Sequence, residues 1–377
     1  MNFAYTAQQE ALRQQALEFG ARVLEPGTAE RCKARTYTRE DWNQLAEAGY
    51  TGMLIPQAFG GAGLSAADAV VALEALATTC SDTGLLFSLG AHLCAGIVPL
   101  LHHGNKEQKN ILRDAAAGRC IVANAVTEAG SGANAFALRS TAILHDDIYT
   151  LSGHKVFCTN APLADAFVVY ALTDVQKGFF GGISAFLLNR NQLETGPALE
   201  KNALLSSPAA EVLLNDVKVN ITQLIGKSGA GVSIFMQSMN WERTLLSALH
   251  VGSMQLLLNK TRDYVKLRET GNGTLSQHQA VQFKLADMAV AVETSRLLVQ
   301  EAAQLLDTGK PSTAGAARAK IYVSEAYCRV AHEAVLLHGG NGITAAFGLS
   351  NATSDAQAAC IYSGPNDVLR GVLASQL

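Results

Sequence analysis

The sequence predicts an α+β protein in which a helical segment, a strand-rich segment and a second helical segment follow one another. Three observations favour this class. Apolar residues recur at helical spacing in the first third, short strand-like segments fill the middle, and long helical repeats return towards the C-terminus. We therefore divide the 377 residues into an all-α domain (1–124), a β domain (125–228) and a helical bundle (229–377). A chain of this length exceeds one ordinary core, which agrees with several packed domains.

The N-terminal domain contains one stretch that fits two interpretations. From Thr83 to Gly104 there is no Asp, Glu, Lys or Arg, and the stretch is long enough to cross a membrane. However, His92 and Pro99 interrupt it, and two further histidines lie near its end. We therefore predict a buried core helix and no membrane partner.

The central and C-terminal domains differ in their apolar period. Four short segments with strand-like composition are bounded by turn residues and predict a small barrel or sandwich. These segments are residues 148–151, 166–170, 185–188 and 211–214. After residue 231 the spacing becomes helical again, and several long helices in a row predict a helical bundle. In the first domain, Ser65 followed by Asp68 predicts a capped helix start.

Composition excludes several functional classes. The formal charge is -3, and the densest basic run, Arg31, Lys33 and Arg35, is typical of a solvated helix face, so we expect no nucleic-acid partner. Seven cysteines are scattered without CxxC or other metal-binding spacing, which predicts reduced thiols, a cytoplasmic protein and no metal site. The polar beginning of the sequence is unlike a signal peptide.

Five short motifs contain the residues that could carry chemistry. They are residues 125–134, 151–160, 240–243 together with 268–279, 337–344 and 361–370. In the first motif, glycines let backbone N–H groups converge on an anion or on the carbonyl groups of a flat cofactor. Taken singly, each motif also has an ordinary interpretation as a turn, an edge strand, a charged helix surface or a helix end.

In this order and on this α–β–α background, the five motifs resemble those of the acyl-CoA dehydrogenase family along the whole chain. The family motifs read TEP-G-x-G-S-D, W-x-T-N, R…R-x-x-F-G, GG-x-G and Y-E-G-T-x-E. The resemblance implies an N-terminal helical domain, a small β-barrel, a C-terminal four-helix bundle and FAD as cofactor. It also implies an oxidoreductase that acts on an acyl thioester.

The resemblance assigns residues to the cofactor site one by one. Those implied to hold the flavin ring and pyrophosphate, to cover one flavin face or to lie near N5 are Val126, Thr127, Gly132, Ala133, Phe157, Cys158 and Thr159. Those implied to reach the FAD of a neighbouring subunit are Arg268, Gln279, Leu336, His338, Gly339 and Gly340. Further FAD contacts are implied for Pro365, Asn366 and Asp367. A cofactor shared across subunits implies a homodimer or homotetramer.

The chain departs from the family pattern at four places. Ser363 stands where many members have their catalytic glutamate, and a serine hydroxyl does not remove an α-proton at neutral pH without help. Gly271 replaces the phenylalanine of the third motif, Ala133-Asn134 replaces Ser-Asp, and Pro365 replaces threonine. Because much of an FAD site is backbone, we expect the cofactor site to persist and ordinary α,β-dehydrogenation to be altered.

Glu242 offers a replacement base. Some members of the family place their base just before the first arginine of the third motif, and Glu242 stands there, before Arg243. A carboxylate in a dry site has a raised pKa and can accept a proton. The alternative is that Glu242 is only a structural partner of a nearby arginine. We take Glu242 as the candidate base and Ser363 as the residue that fills the vacated position.

The chain also resembles a branch of the family that acts on acyl groups carried by an acyl carrier protein in polyketide–nonribosomal peptide assembly. That likeness, to colibactin- or zwittermicin-type pathways, implies oxidation of a 2-amino-3-oxopropionyl thioester, as its hydrate, to aminomalonyl. One alternative is α,β-dehydrogenation of an acyl-CoA with Glu242 as base. A second is a catalytically silent member that serves as a binding partner in an assembly line. The sequence does not specify the electron acceptor.

Overall fold

The computed structural model describes residues 4–131, 137–271, 273–310 and 312–376. Its N-terminal helices are α1 (Ala7–Phe19), α2 (Thr28–Ala34), α3 (Arg39–Glu47), α4 (Ala66–Thr79), α5 (Thr83–Ala91), α6 (Val98–His103) and α7 (Ile111–Ala116). Its middle strands are β1 (Val122–Ala125), β2 (Thr141–His145), β3 (Ile148–Thr159), β4 (Ala166–Leu172), β5 (Ile183–Asn189), β6 (Glu194–Ala198), β7 (Ala209–Asn220) and β8 (Leu224–Ile225). Its C-terminal elements are α8 (Gly231–Leu267), β9 (Glu269–Thr270), β10 (Gly273–Thr274), α9 (Gln279–Asp307), α10 (Thr313–His338), α11 (Leu349–Ala359) and α12 (Asn366–Ala374). The order of helices, strands and helices confirms the predicted fold class.

Side-chain caps fix where several N-terminal helices begin. Thr6 and Thr38 each accept a hydrogen bond from the backbone N–H three residues on, and they form capping boxes for α1 and α3. Ser65 Oγ accepts from the Asp68 N–H at 3.1 Å and begins α4 as predicted. Each cap satisfies a backbone donor that the first helical turn leaves without a partner.

The apolar stretch after Thr83 is a core helix, as predicted. α5, a π-helical turn (His92–Ile97) and α6 form one segment with the length and hydropathy of a membrane span, yet 83% of its apolar window is buried inside the protein. The Val122 N–H donates to His92 Nδ1 at 3.0 Å and so joins this segment to β1. Burial lowers the pKa of His92 to about 4, which keeps the ring neutral and able to accept.

The middle domain is an eight-stranded sheet in the order β6–β7–β3–β2–β4–β5–β8, with β1 parallel to β4 beside this path. The four segments predicted as strands lie in β3, β4, β5 and β7. The register of β3 against β7 shifts between Lys155 and Cys158. Such an irregularity turns a side chain away from the regular alternation of a strand. It therefore re-aims Phe157, which lies within the second motif.

The long helix α8 is the central element of the C-terminal region. Its 37 residues pack against α4 of the N-terminal domain and against α9 and α10. Every residue of α8 from Glu242 to Met254 is buried, whereas a helix on the surface would bury only one face. Helix α10 runs through Leu337 and ends at His338. The central position of α8 places Glu242 and Arg243, the charged residues at the start of the third motif, inside the protein.

Arg31 corrects the prediction of a solvated basic face. It is only 5% exposed, and it forms ion pairs from Nε to Asp82 Oδ2 at 2.6 Å and from Nη1 to Asp41 Oδ1 at 3.0 Å. Two carboxylates compensate the cost of burying the guanidinium group, which a local sequence pattern does not reveal. The flanking Lys33 and Arg35 are exposed. The run is therefore not a basic patch of three charges.

Candidate active site

Glu242 and Ser363 meet in the interior of the protein. Glu242 lies on α8 and is 8% exposed. Ser363 lies in the loop between α11 and α12, and its Oγ donates a hydrogen bond to Glu242 Oε1 at 2.5 Å. The two candidate catalytic residues are 121 positions apart in sequence. The structure thus brings the candidate base and the residue at the vacated position into direct contact.

Two buried cations hold the Ser363 loop against α8 and α10. Arg243 Nε donates to the Ser363 carbonyl oxygen at 2.9 Å. Lys320 Nζ, from α10, donates to the Gly364 carbonyl oxygen at 2.8 Å and to Asn366 Oδ1 at 2.7 Å. Ser363 has a φ of 56° and Gly364 a φ of 95°, so the chain reverses direction in a left-handed conformation here. These contacts fix the hydroxyl that faces Glu242.

The electrostatics of this cluster favour proton exchange at Glu242. Burial raises the pKa of Glu242 above its ordinary value, while the Ser363 hydrogen bond and the charge of Arg243 act in the opposite direction. Burial lowers the pKa of Arg243 to about 10, so this group stays cationic at neutral pH. Arg243 Nη1 is buried and has no hydrogen-bond partner among the described residues. An unsatisfied cationic donor suits a carbonyl or anionic group of a ligand.

A second group of residues beside Ser363 was missed by the sequence analysis. Tyr362 and His250 share a hydrogen bond of 2.6 Å between Oη and Nε2, and the Tyr362 ring lies 4.7 Å from that of Phe87. Together with Leu246 they border a cavity of ≈ 10 Å³, about the space of one water molecule. The helical spacing of residues 242, 246 and 250 on α8 could have indicated this shared face.

The first motif is anchored by a buried ion pair that the sequence analysis also missed. Lys155 Nζ lies 2.7 Å from Glu128 Oε1 and donates to the Val126 carbonyl oxygen at 3.1 Å. Thr127 accepts from the Val156 N–H at 2.8 Å. These bonds attach the predicted flavin-binding residues Val126 and Thr127 to strand β3. The remaining two residues of this prediction, Gly132 and Ala133, lie outside the described residues.

Phe157 stands out from the strand surface in an unusual conformation. Its side chain is 70% exposed, and its φ of 57° is in the left-handed region that bulky residues rarely adopt. A strained and exposed aromatic ring is typical of a ligand-binding position. The adjacent Cys158 is buried, so its thiol faces the core and not a ligand. Thr159 is partly buried and pairs with Ala209 of β7.

The residues assigned to a neighbouring FAD lie at the other end of α8 and α10. Arg268 and Gln279 are exposed, and the guanidinium group of Arg268 makes no hydrogen bond or ion pair with a described residue. Leu336 is exposed, whereas His338 is buried with its ring stacked 4.1 Å from that of Tyr264. The side chain of His338 therefore packs within this subunit.

The remaining predicted contacts separate into exposed and buried residues. Gly339 and Gly340 are exposed at the end of α10, where Gly339 has a φ of 58°. Pro365 precedes α12, and the side chain of Asp367 is 95% exposed. Asn366 is instead buried against Lys320, so its amide serves the loop. Cofactor contacts of this set stay predictions.

The described residues fit FAD but not a metal ion. An exposed aromatic face at Phe157, a guanidinium without a partner at Arg268 and exposed glycine backbone at residues 339–340 match a flat ring and a pyrophosphate. Among the described residues, no group of three or more His, Cys, Asp or Glu side chains is arranged to hold a metal ion.

Three models of acyl-CoA dehydrogenase domains match this chain: the N-terminal domain over residues 6–119, the middle domain over residues 123–217 and the C-terminal domain over residues 229–377. The chain belongs to the acyl-CoA dehydrogenase family. It is accordingly an FAD-dependent oxidoreductase that acts on an acyl thioester.

Similar proteins cover the whole chain. An L-prolyl-[peptidyl-carrier protein] dehydrogenase of Serratia sp. is 34% identical over 380 residues, which is 100% of this chain and 98% of the relative. A short-chain specific acyl-CoA dehydrogenase of Clostridium acetobutylicum is 33% identical over 380 residues, with 100% of both chains covered. The solved FAD complex of PigA superposes with a TM-score of 0.96 at 34% identity, covering 100% of this chain and 99% of PigA.

We predict that Ser363→Ala shifts the pH dependence of the enzyme. The Ser363 hydrogen bond lowers the pKa of Glu242, so its loss raises that pKa further. A general base works when deprotonated, so the acidic limb of the rate profile moves to higher pH. Turnover of an acyl thioester measured across pH tests this prediction. The control is Ser233→Ala, because Ser233 is an exposed serine of α8, the helix that carries Glu242. An unmoved acidic limb contradicts the prediction.

Proposed function

We propose that this enzyme oxidises a short acyl group held as a thioester on an acyl carrier protein. We further propose that the acyl group is 2-amino-3-oxopropionyl, as its hydrate, and that the product is aminomalonyl for hybrid polyketide–nonribosomal peptide assembly. The observation on which the proposal depends is the buried Glu242 carboxylate, oriented by Ser363 at 2.5 Å.

Glu242 has the features that a base in this reaction needs. Ser363 Oγ donates a hydrogen bond to Glu242 Oε1, and no described residue donates to Oε2. The Oε2 atom is therefore available to accept a proton from the substrate. Burial excludes water and raises the pKa of the carboxyl, which strengthens it as a proton acceptor. Arg243 holds the backbone of Ser363 and so keeps the hydroxyl in place while Glu242 changes its charge.

The proposed reaction needs one base from the protein, because one proton and one hydride leave the substrate. The aldehyde hydrate loses a hydride from C3 and a proton from a hydroxyl group, and C3 becomes a carboxyl carbon. Glu242 accepts the hydroxyl proton at its carboxylate. When bound, FAD supplies the acceptor for the hydride. We assign Val126, Thr127 and Phe157 to hold it, because the Glu128–Lys155 pair fixes the first two and Phe157 presents a free ring face.

Carrier attachment is supported by the relatives. The Serratia relative is named for a carrier-bound acyl group, and we extend this mode of substrate delivery to the present chain. The aminomalonyl assignment depends on the family resemblance described above. A carrier-protein partner also agrees with the proposed cytoplasmic location.

A second candidate function is α,β-dehydrogenation of an acyl-CoA with Glu242 as base. The Clostridium relative, named a short-chain specific acyl-CoA dehydrogenase, covers the whole chain and favours it. The third candidate is a catalytically silent binding protein, which would not require a buried carboxylate oriented by a hydrogen bond. The Ser363–Glu242 contact is therefore an argument for catalysis.

We also propose a homodimer or homotetramer in which FAD contacts two subunits. Arg268 and Gln279 are exposed and lie away from the Glu242 cluster in sequence. On α9, Phe283, Val290 and Leu297 are exposed at seven-residue intervals and form an apolar stripe. A second copy of the chain would cover the stripe and bring Arg268 to its neighbour's cofactor.

We predict that Glu242→Gln abolishes most of the chemical step. The substitution keeps the shape of the side chain but removes the proton acceptor, so flavin reduction by substrate falls by about 10²-fold or more. Stopped-flow absorbance measures the rate, and the flavin spectrum of the purified protein should show unchanged FAD occupancy. Ser363→Ala should slow the reaction far less. A nearly unchanged rate in Glu242→Gln, with a large loss in Ser363→Ala, would overturn the assignment of the base.

We predict that Arg268→Ala weakens FAD binding by about 10- to 100-fold, because a charge-assisted contact to the pyrophosphate is lost. Titration of the apoprotein with FAD, followed by flavin fluorescence, measures the dissociation constant. Arg262→Ala is the matched control, since Arg262 is also exposed near the end of α8 but pairs with Asp263. Equal affinities of the two variants would contradict a cofactor contact at Arg268.

We predict that the carrier-bound substrate reduces the flavin at least about tenfold faster than the same acyl group on CoA, because docking of the carrier accelerates productive encounter. A stopped-flow comparison uses matched thioesters at equal concentration, and mass spectrometry of the carrier identifies aminomalonyl. Carrier-bound prolyl serves as the control acyl group. A faster reaction with the CoA ester would favour the acyl-CoA candidate, whereas preference for prolyl would overturn only the aminomalonyl assignment.

A further inference from the structure

Two cysteines form a close pair at the start of the loop that carries Ser363. Cys328 lies on α10 and Cys360 directly follows α11, and their Sγ atoms are 3.6 Å apart. Both residues are partly exposed, so a small reagent can reach them. Sequence analysis treated the seven cysteines as dispersed because these two are separated by 32 positions. The fold brings them to van der Waals contact.

The two thiols are chemically unequal. A hydrogen bond from Cys328 lowers the pKa of Cys360, and the nearby Lys320 ammonium acts in the same direction. The same pairing and burial raise the pKa of Cys328. Cys328 Sγ also lies 3.2 Å from the Ala356 carbonyl oxygen, a group that accepts only from a protonated thiol. Cys360 is therefore the nucleophile of the pair, and Cys328 the residue that keeps its proton.

We propose that Cys328 and Cys360 form a thiol–disulfide exchange site that reacts with low-molecular-weight disulfides. The Cys360 thiolate attacks one sulfur of the reagent, forms a mixed disulfide and releases one thiolate. The Cys328 thiol then loses its proton and attacks Cys360 Sγ, which expels the second small thiol. Two protein thiols are oxidised to one disulfide, and one reagent disulfide is reduced to two thiols.

The exchange site is connected to the catalytic loop through backbone bonds of Cys360. Its carbonyl oxygen accepts from Lys320 Nζ at 3.1 Å and from the Asn366 N–H at 3.2 Å. Because a disulfide bond is about 2.05 Å long, the two sulfurs, now 3.6 Å apart, must approach each other. Cys360 is the first residue after α11, so oxidation changes the side chain that begins the segment carrying Ser363. This inference does not depend on the identity of the acyl substrate.

The test uses the FAD-loaded enzyme treated with oxidised glutathione, followed by mass spectrometry of the intact protein and of its peptides. The wild-type protein should lose two titratable thiols and yield a Cys328–Cys360 linked peptide without a retained adduct. Cys328→Ser should trap glutathione on Cys360, because no resolving thiol remains. Cys360→Ser should react at least about tenfold more slowly, since it lacks the thiolate.

The other cysteines supply an internal control. Cys32 is also partly exposed, but burial raises its pKa to about 12 and it has no thiol neighbour in the described part of the chain. It should remain unmodified during the same treatment in all variants. The proposal is overturned if no Cys328–Cys360 peptide forms in the wild-type protein. It is equally overturned if Cys328→Ser and Cys360→Ser react at the same rate, or if Cys32 reacts as fast as Cys360.

Discussion

The hydrogen bond from Arg243 to the Ser363 carbonyl oxygen is the contact on which the rest of the candidate site depends. It attaches the loop between α11 and α12 to α8 at 2.9 Å, next to the serine hydroxyl that donates to Glu242. A buried guanidinium is costly unless its donors are used. Arg243 offsets this cost through the loop carbonyl and through the charge of Glu242. The position of the loop and the pKa of Glu242 therefore depend on the same buried group of residues.

The cluster also explains why a serine at position 363 is compatible with a glutamate at position 242. Two carboxylates at hydrogen-bonding distance in a dry interior cannot both be ionised, and one would hold a proton at neutral pH. A hydroxyl group at 2.5 Å instead donates to the carboxylate and favours its charged form. In the family motif the carboxylate lies in this loop. In the present chain it lies on α8, as Glu242, and Ser363 in the loop donates a hydrogen bond to it.

Much of the fold and part of the site could be predicted from the sequence, because their signals are local. The spacing of apolar residues and the turn residues identified the α–β–α order. The Ser65 cap identified the start of one helix, and the uncharged stretch after Thr83 identified a core helix. Glu242 was selected as the candidate base through its position in a motif, and that role stays a prediction. Buried charges were not found: Arg31 was placed on the surface, and the Glu128–Lys155 pair was not recognised. Ion pairs of this kind form between segments far apart in sequence, and residue type alone favours exposure. The proximity of Cys328 and Cys360 was missed for the same reason, because the two residues are 32 positions apart in sequence.

The left-handed conformation of Phe157 has a consequence for the energy of the whole domain. A bulky residue in this region costs about 1–3 kcal/mol, and its exposed ring recovers little of that cost from the core of its own chain. Marginal stability makes such a cost a noticeable share of the folding free energy. Contacts between the ring and a bound ligand would offset part of this strain. Cofactor loading and resistance to heat should accordingly be linked in this enzyme, through a single residue at the strand surface.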